Sequence, residues 1–553
     1  MLVPMRCSPP RGARSPHSAP RRRGGPSPLG LQGLAALLVL APAAAWATPG
    51  LPTRLGGIEA QGAGTRSITA LHHNPAMLAG LEGNRLHFQI ASGVDQRWVR
   101  PYLDDPSLGT PTAALGERVA LTNPTADWFF GIHGSFEPVS LAFGIYSLGN
   151  QYALYSRQAL ADEVAVDPEY ATGGAEAAVT GGCPGLLGAC PPNGGAATLR
   201  HDVTAAIAYE LGNVLFGVAV HLPLLSRRFA YEENTALDDG APGATDICAD
   251  PASGCRELVA FRGTNRWFTV RDRGSSFDLA LAFGVATTLP NDRITLGMRY
   301  RTRPLRRQGT LVLQGEGVVC RLDADGVALP CDDSSGVEAT LTEPVPRELA
   351  VGGAFELGPA KLWRIDANLT WFDLCPGGFV SCADEGAHTL RFVGLDRDAY
   401  TLPEARRYRG ARDVFAVDVW ATAKPQRVQW TGAIHLRTPA VRPSAATLEQ
   451  PDTWKLGLSG GAAWRVPGRN LVLAGGYGLD ATLPTFVPPS EASYDPGAAR
   501  DFAASGGDLN GPGADEVLSG LGRPSNAANR FGLVHTLSFA VRWADKRGWR
   551  WLD

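Results

Sequence analysis

The chain has 553 residues, 54 acidic and 51 basic side chains, a net charge of −3, and as many as 66 glycines and 42 prolines. This balance offers no polybasic surface for nucleic acid. No stretch beyond residue 47 reaches the roughly eighteen apolar residues of a helical membrane span, and the glycine and proline content with few amphipathic helices does not suit an α/β enzyme.

Residues 1–47 read as an export signal. Arg11, Arg14, Arg21, Arg22 and Arg23 form a basic leader, Leu29 to Leu40 an apolar core too short to span a bilayer, and Ala45-Trp46-Ala47 a cleavage site before Thr48. The Arg21-Arg22 pair also fits twin-arginine export, although an arginine-rich leader is the simpler reading. The segment carries six arginines and no acid, so its removal leaves a net charge of about −9. The remaining lysines are Lys361, Lys424, Lys455 and Lys546. An exported chain without a helical span is a secreted β protein or an outer-membrane barrel.

Residues 48–84 are small and glycine-rich, without strand alternation, and read as a flexible leader or a plug in a barrel mouth. From residue 85 onward the period is two. Trp363, Ile365, Ala367, Leu369 and Trp371 fall on one face of a strand; Arg364, Asp366, Asn368 and Thr370 fall on the other. Leu533, His535, Leu537, Phe539, Val541 and Trp543 likewise oppose Thr536, Ser538, Ala540 and Arg542. Apolar residues bounded by tryptophans on one face, with polar groups opposite, suit a strand between lipid and a wet lumen. A soluble sandwich also alternates, but it turns its apolar face inward.

Fourteen such segments are predicted: 85–99, 127–136, 139–150, 200–211, 213–224, 275–288, 292–303, 347–357, 361–373, 411–424, 427–438, 453–465, 469–480 and 532–543. Tight links (Glu137-Pro138, Gly212, Pro290-Asn291, Gly358 to Ala360, Pro425-Gln426, Val466 to Gly468) alternate with long ones. An even strand count with short turns at one rim and long loops at the other predicts an all-β, transmembrane antiparallel barrel of about 14 strands. The barrel is expected over 85–543, with a tail over 544–553. It must close, because an open edge in lipid leaves unpaired backbone groups at several kcal/mol each.

The cysteines beyond the leader form four close pairs: Cys183 with Cys190, Cys248 with Cys255, Cys320 with Cys331, and Cys375 with Cys382. Every pair falls inside a long link. Even-numbered close pairing in an exported chain suggests disulfide staples over the outer mouth. A zinc reading lacks accompanying histidines.

Gly62-Ala63-Gly64-Thr65-Arg66-Ser67, then His73-Asn74-Pro75-Ala76-Met77-Leu78-Ala79-Gly80-Leu81, running into Leu86-His87-Phe88, resembles the start of the FadL-type outer-membrane transporters. The strand Asp292 to Arg301, the stretch Pro344 to Gly353 followed by Asp366 to Trp371, and His535-Thr536-Leu537-Ser538 are similar to later parts of that family. Two departures stand out. Ile68 to His72 replace a glycine- and aspartate-rich stretch, and the chain ends Trp551-Leu552-Asp553 rather than on an aromatic residue.

The resemblance implies a fourteen-stranded barrel in the outer membrane of a Gram-negative bacterium, with an N-terminal hatch over 48–84. It implies passive uptake of a hydrophobic ligand, most of all long-chain fatty acids, with aromatic hydrocarbons the other known class. Ligand would land among loops 225–274 and 304–346, shift the hatch at Asn74, Pro75 and Ala76, and leave sideways near the third strand, where Gly149 marks a kink or a plain strand end. The partners expected are a hydrophobic small molecule and outer-membrane lipid, without nucleic acid, for a monomer.

For a carboxylated ligand the lumen needs a cation, and a guanidinium grips a carboxylate in a fork. Arg299 and Arg301 share the inward face of one segment with Arg303, and His435 and Arg437 share that of another beside Thr431. The competing reading is an arginine ladder that neutralises inward acids such as Asp366 and Asp278. No cofactor, metal site or enzymatic activity is expected. Gly457-Leu458-Ser459-Gly460-Gly461 matches G-x-S-x-G, but in a strand and not at a strand-to-helix turn. Asp323 and Asp325 lack the other ligands of a calcium loop, and His72-His73 lack a third metal donor. The rival function is a barrel serving as a surface-interaction or assembly scaffold. An apolar pocket would favour transport, and a lumen of paired charges the scaffold.

Overall fold

The computed structural model describes residues 57–105, 110–114, 119–147, 151–154, 195–233, 256–265, 268–271, 274–289, 293–305, 310–322, 337–358, 361–373, 389–392, 400–401, 413–425, 427–439, 454–487 and 528–545. The export signal, Gly149 and the tail beyond residue 545 lie outside them. So do the disulfide pairings expected from the sequence: Cys183 and Cys190, Cys248 and Cys255, Cys375 and Cys382, and Cys331 all fall outside the described residues. Cys320 is described in its backbone alone, as part of the strand Thr310–Leu322.

Fourteen strands form the wall: β1 (Arg85–Asp105), β2 (Val119–Phe136), β3 (Val139–Ser147), β4 (Gly195–Leu211), β5 (Val214–Glu233), β6 (Ala280–Thr288) and β7 (Ile294–Arg301), then β8 (Arg347–Leu357), β9 (Trp363–Asp373), β10 (Val414–Ala423), β11 (Val428–Arg437), β12 (Lys455–Arg465), β13 (Leu471–Val487) and β14 (Ala528–Ala544). Each pairs antiparallel with the next. The ring closes where β1 meets β14, in unbroken register from Arg85↔Ala544 to Pro101↔Ala528. Closure leaves no strand edge in lipid, the condition that any membrane-spanning sheet must meet.

The alternation read from the sequence decides which side chains meet lipid. On β9, Trp363 and Leu369 are exposed while Asp366, Asn368 and Thr370 are buried in the lumen. On β14, Leu537, Phe539 and Val541 face out, and Thr536, Ser538 and Ala540 face in. Trp363, Trp430, Trp464 and Trp543 are all exposed and all lie close to the tight-turn ends of their strands. They form one aromatic girdle, at the rim that faces the periplasm in barrels of this kind.

Several strands run further than alternation alone predicted. β1 extends to Asp105, β2 begins at Val119 and β5 reaches Glu233. The long links also carry strands of their own. Arg256–Asn265 pairs with β5 and with Thr310–Leu322, which pairs in turn with Val337–Pro344. Backbone pairing continues beyond the lipid because it needs no apolar face there, so the local period no longer reports it. One boundary moves the other way: Gly274–Phe277 belongs to a separate hairpin with Phe268–Arg271, not to β6.

Candidate functional site

Residues from Gly57 to Asn84 are packed inside the barrel and form a plug. A single helical turn, Ala70–His73, runs through Asn74 into a 3-10 turn, Pro75–Leu78. Asn74 is the hinge between them. Its Oδ1 accepts from the Ala76 amide at 3.1 Å, and its Nδ2 donates to the carbonyls of Ala63 (2.6 Å) and Val285 (3.2 Å). Proline follows at the first helical position, where its missing N–H costs nothing.

The wall is shaped to receive this turn. Gly217 of β5 and Gly284 of β6 are register partners. A Cβ on Gly217 would lie 2.3 Å from Pro75 and Ala76, and one on Gly284 2.0 Å from Asn74 Oδ1. Only bare backbone lets Asn74, Pro75 and Ala76 seat there. The apolar side of the plug (Ile68, Leu71, Met77, Leu78, Leu81) packs on inward-facing Phe129, Ala142, Ala206, Ala208, Leu215 and Ala282. The plug thus rests on an apolar patch of the lumen wall that spans β2 to β6, with buried polar groups such as His133, Asp202 and His221 beside it.

Its other contacts are polar. Thr65 Oγ1 donates to Asp366 at 2.8 Å, and Asn368 Oδ1 accepts from the Ala63 amide at 3.0 Å. Glu59 accepts from Ser67 Oγ and forms a 2.8 Å ion pair with Arg542 of β14. Burial opposes the Glu59 charge, but Arg542 and His87 more than offset it and hold its carboxyl below the usual range. His73 hydrogen-bonds Gln61 at 3.0 Å. Burial, helped by Arg299, lowers His73 to about 4. His72 is likewise lowered, first by burial and then by His73.

Arg299 and Arg301 point into the lumen as expected, but they are already engaged. Arg299 pairs with Glu348 and donates to the His72 carbonyl of the plug. Arg301 reaches Asp202 at 2.8 Å, and the same Asp202 oxygen lies 3.1 Å from His221 Nδ1. Neutralisation is thus real, but through Asp202 and Glu348; Asp366 instead holds Arg364 at 2.6 Å, and Asp278 lies 3.4 Å from the Asn265 side chain. His435 stands apart from this cluster. Its Nδ1 lies 2.8 Å from Asp418 Oδ1, its Nε2 lies 2.9 Å from Ser459 Oγ, and Trp420 packs edge-on against it. The series has the order of a hydrolase relay. A serine nucleophile, however, also needs an open approach and oxyanion donors. Gly57 of the plug packs directly on Ser459, and the serine sits within a paired strand of the wall. Arg437 is buried on the same face of β11 as His435. No group of three or more metal-binding side chains occurs among the described residues.

Gly149 lies outside the described residues, but its neighbourhood is informative. The β2–β3 ladder ends at Phe129↔Tyr146. Next to it the Trp128 amide donates to Ser147 Oγ at 2.9 Å, and Ser147 donates to Asp127 at 2.7 Å. A side chain has taken over a ladder position. Tyr146 stacks on Phe129 and meets His72 of the plug edge-on.

The course of this fourteen-stranded barrel also occurs in solved structures. A FadL homologue from Pseudomonas aeruginosa superposes with a TM-score of 0.60 at 14% identity, over 91% of this chain and 99% of its own. The Pseudomonas putida toluene transporter TodX gives 0.54 at 10% identity, covering 89% and 96%. The Ralstonia pickettii toluene transporter TbuX gives 0.51 at 12%, covering 89% and 97%.

The chain has the FadL-type barrel fold.

No family model matches its sequence, and no curated protein matches it. The FadL-type likeness lies in the course of the backbone. Of the residues singled out from the sequence, the FadL-type fold brings Asn74, Pro75 and Ala76 together with Arg299, which reaches the plug at His72. It leaves His435 and Arg437 several strands away. Asp202, Glu348, Glu59 and the two seat glycines escaped sequence reading, because each acts through a partner remote in the chain.

Proposed function

We propose that the protein is a passive entry route for hydrophobic molecules across the outer membrane, opened when the plug leaves its seat. The observation that carries this reading is the apolar patch of lumen wall under the plug, from Phe129 and Ala142 to Leu215 and Ala282. An apolar surface buried only against a small, largely polar-tethered segment becomes a path once that segment moves. Exit is sideways by the early end of the β2–β3 ladder, near Gly149. Long-chain fatty acids are the substrate class proposed first. Plug displacement frees the Arg299 donor from the His72 carbonyl, and a ligand carboxylate takes its place beside Arg301, with His435 and Arg437 further along the lumen.

Aromatic hydrocarbons are the other class, supported by the toluene transporters of the same fold. No catalysis is proposed. The scaffold reading has one observation in its favour, the density of paired charges around Asp202, Arg301 and Glu348.

The test is uptake of labelled oleate and toluene by Gram-negative cells that lack their own transporters and express this chain. Uptake above the empty-vector control is expected for at least one of them, and Gly284→Val, which unseats the plug, should change it severalfold. Oleate binding to the purified barrel should fall in the R299A/R301A double variant. If neither solute enters faster than in the control, transport fails and the scaffold reading stands.

A further inference from the structure

At the tight-turn end of the barrel, between the plug and β9 to β14, lies a cavity of about 180 Å³. The transport route proposed above does not use it. Its lining is strongly asymmetric in charge. Arg364, Lys424, Arg427, Arg465 and Arg542 surround it, and Glu59 is the one carboxylate in the lining. Outside the lining, Glu356 holds Lys424 at 3.1 Å and lies 3.7 Å from Arg364. Glu59 engages only Nη1 of Arg542; the Nε and Nη2 of that guanidinium are enclosed with no hydrogen-bond acceptor among the described residues. Arg427, at the rim, makes no side-chain hydrogen bond or ion pair among them.

Enclosed donors without acceptors carry a desolvation cost that an incoming anion removes. The remaining lining decides which anion. Ala60, Ile68 and Leu81 of the plug, with Ala463 of β12 and Val472 of β13, give the cavity an apolar floor. Its volume exceeds the roughly 150 Å³ that admits a benzene ring in an apolar cavity. A fully hydrated anion would leave that floor unused, and a neutral hydrocarbon would leave the guanidinium donors unmet.

We propose that this cavity is a binding site for an amphipathic monocarboxylate, with its head group held by Arg542 and Arg427 and its short chain laid against Ile68, Ala463 and Val472. The site lies on the periplasmic side of the plug, so it takes ligand from the periplasm or on its way out. The Arg542–Glu59 pair makes it adjacent to the plug's own tether.

The probe is octanoate, titrated calorimetrically into the purified full-length barrel in a non-ionic detergent. Octan-1-ol and inorganic phosphate supply the tail and the charge separately. Octanoate should bind at least tenfold more tightly than either, and 0.5 M salt should weaken it severalfold. Arg427→Glu, an exposed rim change that leaves Arg542–Glu59 in place, should weaken octanoate about tenfold while the barrel keeps its heat-dependent gel shift. Arg542→Gln should do the same. Equal binding of octanol, competition by phosphate at matching concentration, or unchanged affinity in both variants overturns the proposal. Uptake of oleate or toluene does not enter this measurement, so its failure is separable from failure of the transport reading.

Discussion

Arg301 shows how a lumen charge is kept. It is almost fully buried, bonds Asp202 at 2.8 Å and stands 3.9 Å from Glu348. Removing one member of such a group strands the others without compensation, which typically costs about 3–5 kcal/mol. Arg301→Met is therefore expected to lower the urea midpoint of the purified barrel clearly, and adding Asp202→Asn should recover part of the loss. An unchanged midpoint in the single variant would show that the lumen hydrates these acids freely. The inward direction of Arg299 and Arg301 was legible from period-2 alternation alone. Their partners were not, since Asp202 and Glu348 lie 99 and 49 residues away from the arginines they hold. Local periodicity reports which face a side chain takes but not what stands opposite across a lumen. For the same reason, Ser459 read as an isolated motif residue, and its connection to His435 and Asp418 emerged only when β10, β11 and β12 lay side by side.

At the scale of elements, the plug is an ionic and hydrogen-bonded body on an apolar and glycine-lined seat, and that combination is sensitive to pH. His73 is lowered to about 4 by burial, with His72 also lowered, whereas a histidine on a displaced plug titrates near 6.5. Between those values the displaced plug binds more protons than the seated one, so seating weakens as the pH falls from about 6.5 to about 4. For His73 alone the full change is on the order of 3 kcal/mol. Glu59 acts in the same direction, because its carboxyl is held low when seated and loses its pairing with Arg542 once protonated. Single-barrel conductance in planar bilayers should therefore rise as the pH is lowered from 7 to 4; a constant or falling conductance would contradict the assignment of neutral, buried histidines. The N-P-A turn itself was recognisable in the sequence. The seat was not, because Gly217 and Gly284 look like ordinary strand glycines until the Asn74 turn is placed on them.

At the scale of the whole molecule, the architecture was the most legible property of the chain. Each of the fourteen predicted segments overlaps one wall strand, and every tight link falls at the same rim. Lipid enforces this legibility: a strand between a bilayer and a wet lumen must alternate, and one missing strand would open the ring. The regions beyond the lipid carry no such rule, which is why the paired extensions at Arg256–Asn265 and Thr310–Leu322 were read only as long links. The cysteine pairs belong to those same links, and chemistry can test them directly. With the protein unreduced, alkylation is expected to leave Cys183 and Cys190, Cys248 and Cys255, Cys320 and Cys331, and Cys375 and Cys382 unmodified. Labelling of all eight thiols would remove the staples from this picture.

The seam between β1 and β14 joins the start of the wall to its end. There the Asn84 amide and side chain both donate to Asp545 at 3.0 Å, and the Asp545 amide donates back to the Asn84 carbonyl at 3.0 Å. Asn84 is the last residue before β1 and the point where the plug leaves the lumen; Arg542, three positions before Asp545, grips the plug at Glu59. During assembly, the strand that shuts the ring is thus also the strand that clasps the plug. A ring with this seam open lacks the Arg542 anchor of its own stopper, so closing the barrel and securing the plug draw on the same strand.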